Sequence, residues 1–279
     1  MNVRLWGTRG SLASPGAETA RYGGNTACVE VLGRDGTLLV LDAGTGIRRL
    51  GATLPKTFVR VDVLLTHLHM DHIQGLGFFA PLHDPRMEIH IWGPASTTLT
   101  LAERLHRYLS PPLFPVRLRD LACRLRLHEV PCDEFEIGEF HIASMLVCHP
   151  GPTVGYRIAS SDGAVAYLPD HEPALGAVKF PIAAKWTSGY ELAAGVDLLI
   201  HDAQYTRDEY RDHVGWGHSA LEDTIRFAEL AGVRRLVAFH HDPAHTDDDL
   251  DRMLSKRKDA TSSLEITPGT EGASFELES

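Results

Sequence analysis

Apolar residues in this chain gather in short runs punctuated by glycine, proline and polar stretches, the pattern of strands buried in a sheet. The run over 61–65 reads as a buried strand. Positions 3–6 alternate, and 27–32 and 37–41 pair through the turn Gly33-Arg34-Asp35-Gly36. A further strand is expected over 88–92. The second half repeats the habit at 124–130, 135–137 and 140–146, then from Val154, and over 164–168, 196–200 and 235–239. Helical spacing is found over 96–109, where Leu99, Leu101, Ala102, Leu105 and Leu109 share a face, over 220–231 and over 246–257. Ser219 is the expected cap of the second of these helices and Gly232 its stop. Thr45 is the expected cap of another helix, after the turn Asp42-Ala43-Gly44.

Each half is thus a β-rich run carrying helices, which predicts two sheets packed face to face between helical layers, an α/β sandwich of four layers. No linker or short-period repeat divides the chain, so one domain over 1–279 is expected. A chain of 279 residues with 43% hydrophobic and 23% charged residues is ordinary for a globular protein. No run has the roughly eighteen apolar residues of a membrane span, and Met1-Asn2-Val3-Arg4-Leu5-Trp6 lacks the pattern of a signal peptide, so a cytoplasmic location away from membranes is expected. The net charge of −10 and the lack of a basic arm weigh against a large structured RNA as partner. Cys28, Cys123, Cys132 and Cys148 form no Cys-x-x-Cys pair, which argues against a thiolate metal site.

The chemistry concentrates directly after the strand at 61–65. In Thr66-His67-Leu68-His69-Met70-Asp71-His72, four metal-capable side chains fall within six residues. On extended backbone His67 and His69 point the same way, and a helix starting next can turn Asp71 and His72 back toward them. Two adjacent ions can use all four groups, and the imidazole and carboxylate mix suits zinc, manganese or iron. The other candidates also stand just past predicted strands: His149 in Cys148-His149-Pro150-Gly151, Asp170 in Pro169-Asp170-His171-Glu172, and His240 in His240-His241-Asp242-Pro243. Loops at one edge of a sandwich converge, so the repetition carries more weight than any single histidine. The glycine-rich stretches around Arg9 and over 21–26 are expected to line the same cleft, with Arg9, Asn25 and Thr26 as substrate contacts. Asp247-Asp248-Asp249 reads as helix capping and solvent-facing charge, and His83, His90, His106, His128, His141 and His245 as surface or hydrogen-bonded structural residues.

The stretch from Thr66 to His72 resembles the signature of the metallo-β-lactamase superfamily, hydrolases of the αββα sandwich fold. That resemblance implies two divalent cations: His67, His69 and His149 on the first, Asp71, His72 and His240 on the second, and Asp170 bridging them. His241 competes with His240, which is preferred because it ends the strand directly. Asp42 supports the metal loop. A pair of ions about 3.5–4 Å apart holds a hydroxide that attacks an electrophile. Asp170 stands where the lactam-cleaving branch carries cysteine, which speaks against a β-lactamase. The segments His201-Asp202-Ala203-Gln204-Tyr205 and Gly217-His218-Ser219 are similar to the phosphodiesterase branch that includes ribonuclease Z, with Ala220 in place of a threonine. There the residues matching Asp202 and His218 act at the scissile phosphate, and Asp71 joins them among the groups on which turnover depends. His213 is the alternative to His218, and the role of His171 is open. The expected substrate is a small phosphodiester or nucleotide, cyclic nucleotides included, and a homodimer is a further expectation. The competing readings are hydrolysis of another ester such as a lactone, an RNA 3′-end nuclease, and a metal-binding sensor without turnover.

Overall fold

In the computed structural model, which describes residues 1–130, 132–177, 179–255 and 263–278, the apolar runs become strands, the central ones buried on both faces. The strands are β1 (Asn2–Gly7), β2 (Cys28–Leu32), β3 (Leu38–Leu41), β4 (Arg60–Leu64), β5 (Glu88–Pro94), β6 (Arg124–Val130), β7 (Glu134–Ile137), β8 (Phe140–Leu146), β9 (Val154–Ser160), β10 (Gly163–Leu168), β11 (Leu198–Asp202), β12 (Arg235–Phe239), β13 (Glu265–Pro268) and β14 (Ser274–Glu276). Among the described residues they form two seven-stranded sheets, ordered β14-β1-β2-β3-β4-β5-β6 and β13-β12-β11-β10-β9-β8-β7.

Side-chain alternation assigns the layers. Leu39 and Leu41 of β3 and Val237 and Phe239 of β12 meet in the core between the sheets, with Tyr156 and Tyr167. The intervening Leu38 and Val40 join the outer core under α1 (Ile47–Thr53) and, later in the chain, α3 (Leu101–Tyr108). Leu236 and Ala238 face the opposite outer core with Ile225 and Phe227 of α6 (Leu221–Leu230). A strand buried on both faces has no polar side, which is why these strands read as continuous apolar runs. The remaining helices are α2 (Met70–Ile73), α4 (Tyr190–Ala193), α5 (Arg207–Asp212) and α7 (Asp247–Ser255). The result is the αββα sandwich. No helix among the described residues is long and apolar enough to cross a membrane.

Strands β3 to β6 are parallel, as are β10 to β13. Strands β8, β9 and β10 are successively antiparallel, so β8 runs with β10. Hence the C-terminal ends of β4, β8, β10, β11 and β12 open on one edge, where ligand sites of α/β sheets form.

Local chemistry shifts several expected boundaries. Helix α3 starts later than position 96 because Thr100 and Glu103 form a capping box, each side chain accepting from the other's backbone N–H. Ser219 does not cap α6: its hydroxyl donates to His171 O at 2.6 Å, and Ala220 takes the cap position without a side-chain bond. Thr45 does not cap α1. Its hydroxyl accepts from Thr26 N, and Thr26 Oγ1 accepts from Thr45 N, each at 2.9 Å. Asp247 is buried, contrary to the solvent-facing expectation, and accepts from Arg21 N at 2.8 Å. Positions 256–257 of the expected last helix lie outside the described residues.

Candidate metal centre

The histidine motif is shaped by one carboxylate. Asp42 directly follows β3 with φ 59°, a left-handed backbone uncommon outside glycine. Its side chain accepts from Thr66 N at 2.8 Å, Thr66 Oγ1 at 2.9 Å and Tyr167 Oη at 2.9 Å, and lies 2.7 Å from His72 Nδ1. After a bend at Thr66 the chain is extended again at His69 and then turns into α2, which carries Asp71 and His72 inward. Removing the carboxylate strands buried donors at roughly 1–3 kcal/mol each and frees His72. Asp42→Ala is therefore expected to lower the melting temperature and to weaken metal affinity about 10- to 100-fold, read by thermal unfolding and by competition with a chelator.

The structure brings all seven candidate ligands to one edge. His67, His69 and His149 form one donor group, with His149 Nε2 3.2 Å from His69 Nδ1. Asp71, His72, Asp170 and His240 form a second. Within it, His72 Nε2 and His240 Nε2 are 3.3 Å apart, and each lies 3.2 Å from Asp71 Oδ2. Asp170 stands between the groups and divides its oxygens. Oδ1 is 2.9 Å from His72 Nε2 and 3.2 Å from His240 Nε2, while Oδ2 is 3.7 Å from His67 Nε2 and 3.8 Å from His149 Nε2.

Three of the rings have their second nitrogen committed elsewhere. His72 Nδ1 faces Asp42, His240 Nδ1 lies 2.9 Å from Gln204 Oε1, and His149 Nδ1 lies 2.9 Å from Gly217 O. Each of these acceptors requires the proton on Nδ1, which turns the Nε2 lone pair into the cluster, as a metal-ligating histidine needs. Lone pairs and carboxylates facing one another at these distances repel unless a cation sits among them. His67 Nε2 is buried without a hydrogen-bond partner. Donors held 2.0–2.2 Å from one ion stand about 3–3.5 Å apart, the spacing seen in the second group. The donor set therefore fits divalent cations, with nitrogen and oxygen donors suited to zinc, manganese or iron.

The electrostatics demand positive charge at the same place. Burial lowers the pKa of His67 well below the ordinary value, with His72 adding to the effect. Burial also works against a charged His72, yet Asp170, Asp71 and Asp42 together push its pKa well up. Burial raises the Asp170 carboxyl, but His240, His72 and His67 outweigh it and hold it well below the usual carboxylate range. A proton meets this demand in the metal-free protein, and a bound cation displaces it.

Beside the cluster, the buried His218 presents Nδ1 to Asp202 Oδ2 at 2.6 Å. The other Asp202 oxygen accepts from Gln204 N and Ser219 N, both at 3.0 Å. The His218 ring stacks on His240 with centroids 5.0 Å apart. Burial opposes a charged ring there, but Asp202, then Asp170 and Asp71, raise its pKa to about 9. Without cations at the cluster, these carboxylates favour the protonated ring.

Several expectations need correction. Arg9 is fully buried and donates to Gly23 O, Asp242 O and His245 O, so it ties loops together and offers nothing to a substrate. Asn25 donates to Glu271, and Thr26 is engaged with Thr45. Of the adjacent pair, His240 enters the donor group, whereas His241 Nε2 turns to Gly269 O at 2.9 Å. His171 pairs with His201 at 2.9 Å, and His213 Nδ1 donates to Glu209 O. Sequence reasoning missed Gln204, which orients His240, Ser11, whose N–H donates to Asp71 Oδ2 at 2.8 Å, and Glu172. Gln204 stands two residues past the end of β11, at the same strand edge as the other candidates, a position that could have found it. No comparable signal marks the other two.

Residues 37–241 match a family model described as the beta-lactamase superfamily domain. Ribonuclease Z of Gemmatimonas aurantiaca is 25% identical to this chain, covering 86% of it and 88% of the relative. Two solved structures share the fold. A metallo-beta-lactamase fold protein from Bacillus subtilis aligns with a TM-score of 0.70 at 20% identity, over 99% of this chain and 98% of that one. The short form of human tRNase Z aligns with a TM-score of 0.69 at 20% identity over 100% of both chains.

Proposed function

The chain belongs to the beta-lactamase superfamily as a metal-dependent phosphodiester hydrolase, and we propose that it cleaves small phosphodiesters, cyclic nucleotides among them, at a pair of divalent cations, zinc foremost. The observation that carries this reading is Asp170, whose two oxygens face two separate donor groups. His67, His69 and His149 would hold one ion and Asp71, His72 and His240 the other, with Asp170 between them. When bound, such a pair activates water and polarises a phosphoryl oxygen.

The chain's own residues do the rest. Asp42, Gln204 and Gly217 O fix the tautomers and tilt of His72, His240 and His149, so the Nε2 atoms stay aimed inward. Asp202 holds His218 by Nδ1 and favours the charged ring, whose Nε2–H would donate to the phosphate or to the departing oxygen. Small substrates are favoured by the net charge of −10, which repels a long polyanion. A second reading, cleavage at RNA 3′ ends, is favoured by the likeness to ribonuclease Z over most of the chain.

Zinc-loaded protein is expected to hydrolyse bis(p-nitrophenyl) phosphate. Among natural diesters, cyclic mononucleotides or dinucleotides should outpace a tRNA precursor in kcat/KM. Faster cleavage of the precursor selects the second reading, and turnover of a lactone with no diester turnover defeats both. Dialysis against a chelator should abolish hydrolysis, and zinc should restore it. Because the donors are poorly satisfied without cations, metal at a thousand-fold excess over Kd is expected to add about 4 kcal/mol per site to stability, visible as a higher melting temperature.

A further inference from the structure

The loop that precedes His218 has a feature that holding His149 and His218 does not explain. Glu172, buried two residues past Asp170, spends its carboxylate on this loop, accepting from Gly215 N at 3.1 Å, Gly217 N at 3.0 Å and Tyr210 Oη at 2.5 Å. Gly215 and Gly217 both take the left-handed conformation, at φ 85° and 86°. A Cβ on Gly217 would come within 2.3 Å of His149 Nδ1, so the backbone passes hard against a candidate ligand. The residue between the two glycines is Trp216, and its side chain is 60% exposed. A solvated indole fixed on a short loop is an unusual use of the largest apolar side chain. Its ring contacts His213 edge-to-face with centroids 4.7 Å apart, and His213 in turn stacks on Tyr205 at 4.6 Å. The Trp216 Cα lies within about 7 Å of the His218 Cα, the most that two residues of chain can span. Leu175 and Val214 are exposed as well, and Leu175 reaches toward Gly215.

We propose that Trp216, presented beside the metal cluster by Glu172, is a stacking platform for a planar ring of the substrate, so that the preferred diester carries a nucleobase next to the scissile phosphate. This specificity determinant rests on the phosphodiesterase reading above. Stacking suits an acidic protein, because it holds a base through its face without requiring cationic side chains. Glu172 acts as a positioning residue: its carboxylate fixes both glycine N–H groups and so the direction in which Trp216 projects.

The test compares two diesters with the same leaving group, thymidine 5′-(p-nitrophenyl) phosphate and methyl p-nitrophenyl phosphate, on zinc-loaded wild type, W216A and W216F. The ratio of kcat/KM values, nucleoside diester over methyl diester, is expected to fall about ten-fold or more in W216A and to stay within about three-fold of wild type in W216F. Calorimetric binding of thymidine 5′-monophosphate should weaken in W216A by a similar factor, which is a readout independent of turnover. An unchanged ratio, or equal losses on both diesters, overturns the proposal and leaves the phosphodiesterase reading standing. Equal losses together with a changed oligomeric state make Trp216 a contact between copies, and overturn it likewise. A wild type that cleaves neither diester while binding zinc removes the phosphodiesterase reading and this proposal with it.

Discussion

Asp170→Asn is expected to lower kcat/KM on a phosphodiester by about four orders of magnitude and to cut bound metal from two equivalents to at most one. The substitution preserves shape and removes the charge at the one side chain that faces both donor groups. Two cations held close together repel strongly, and a shared carboxylate between them is what offsets that repulsion. Several kcal/mol of charge stabilisation disappears with the second ion, and each 1.36 kcal/mol is a factor of ten in rate. Kinetics on bis(p-nitrophenyl) phosphate with metal analysis of the same sample reads both effects. Retention of two equivalents with near-normal turnover would remove the bridging role.

His218→Ala is expected to lower kcat by about 10²- to 10⁴-fold on a diester with an alkoxide leaving group while two equivalents of metal remain bound. The reason is its place: the ring stacks on His240, but its Nδ1 is anchored on Asp202, which is not among the seven candidate ligands. A proton donor matters most when the leaving group is basic, so the loss should shrink on p-nitrophenyl esters, whose phenolate departs readily. Asp202→Asn should follow His218→Ala in this leaving-group dependence, and the double variant should lose little more than either single one, because the two side chains act as a unit. A uniform loss across leaving groups, or a loss of metal, would assign His218 a structural task.

The sandwich is legible in the sequence because central strands such as β3 and β10 are buried on both faces, and runs such as 38–41 and 164–168 have almost no polar side to confuse the reading. The convergence of His67, His149, Asp170 and His240 is legible for a related reason: each ends an apolar run, and parallel strands place such ends on one edge. Where only the tertiary structure decides, sequence reading fails. Strands β13 and β14 are four and three residues long, and they exist because β12 and β1 offer them edges. Arg9 sits in a glycine-rich stretch that looks like a substrate loop, yet its guanidinium finds three carbonyls from two distant loops. Ser219 precedes a helix as a cap would, but the nearest strong acceptor is His171 O, supplied by another strand end. Glu172 is one glutamate among many until folding buries it beneath Gly215 and Gly217.

Anomalous diffraction from crystals of the zinc-loaded protein tests the central claim most directly. Two peaks are expected about 3.5–4 Å apart, one against His67, His69 and His149, the other against Asp71, His72 and His240, with one Asp170 oxygen turned to each. A single peak, or zinc bound anywhere that leaves Asp170 without a metal on either side, would contradict the account.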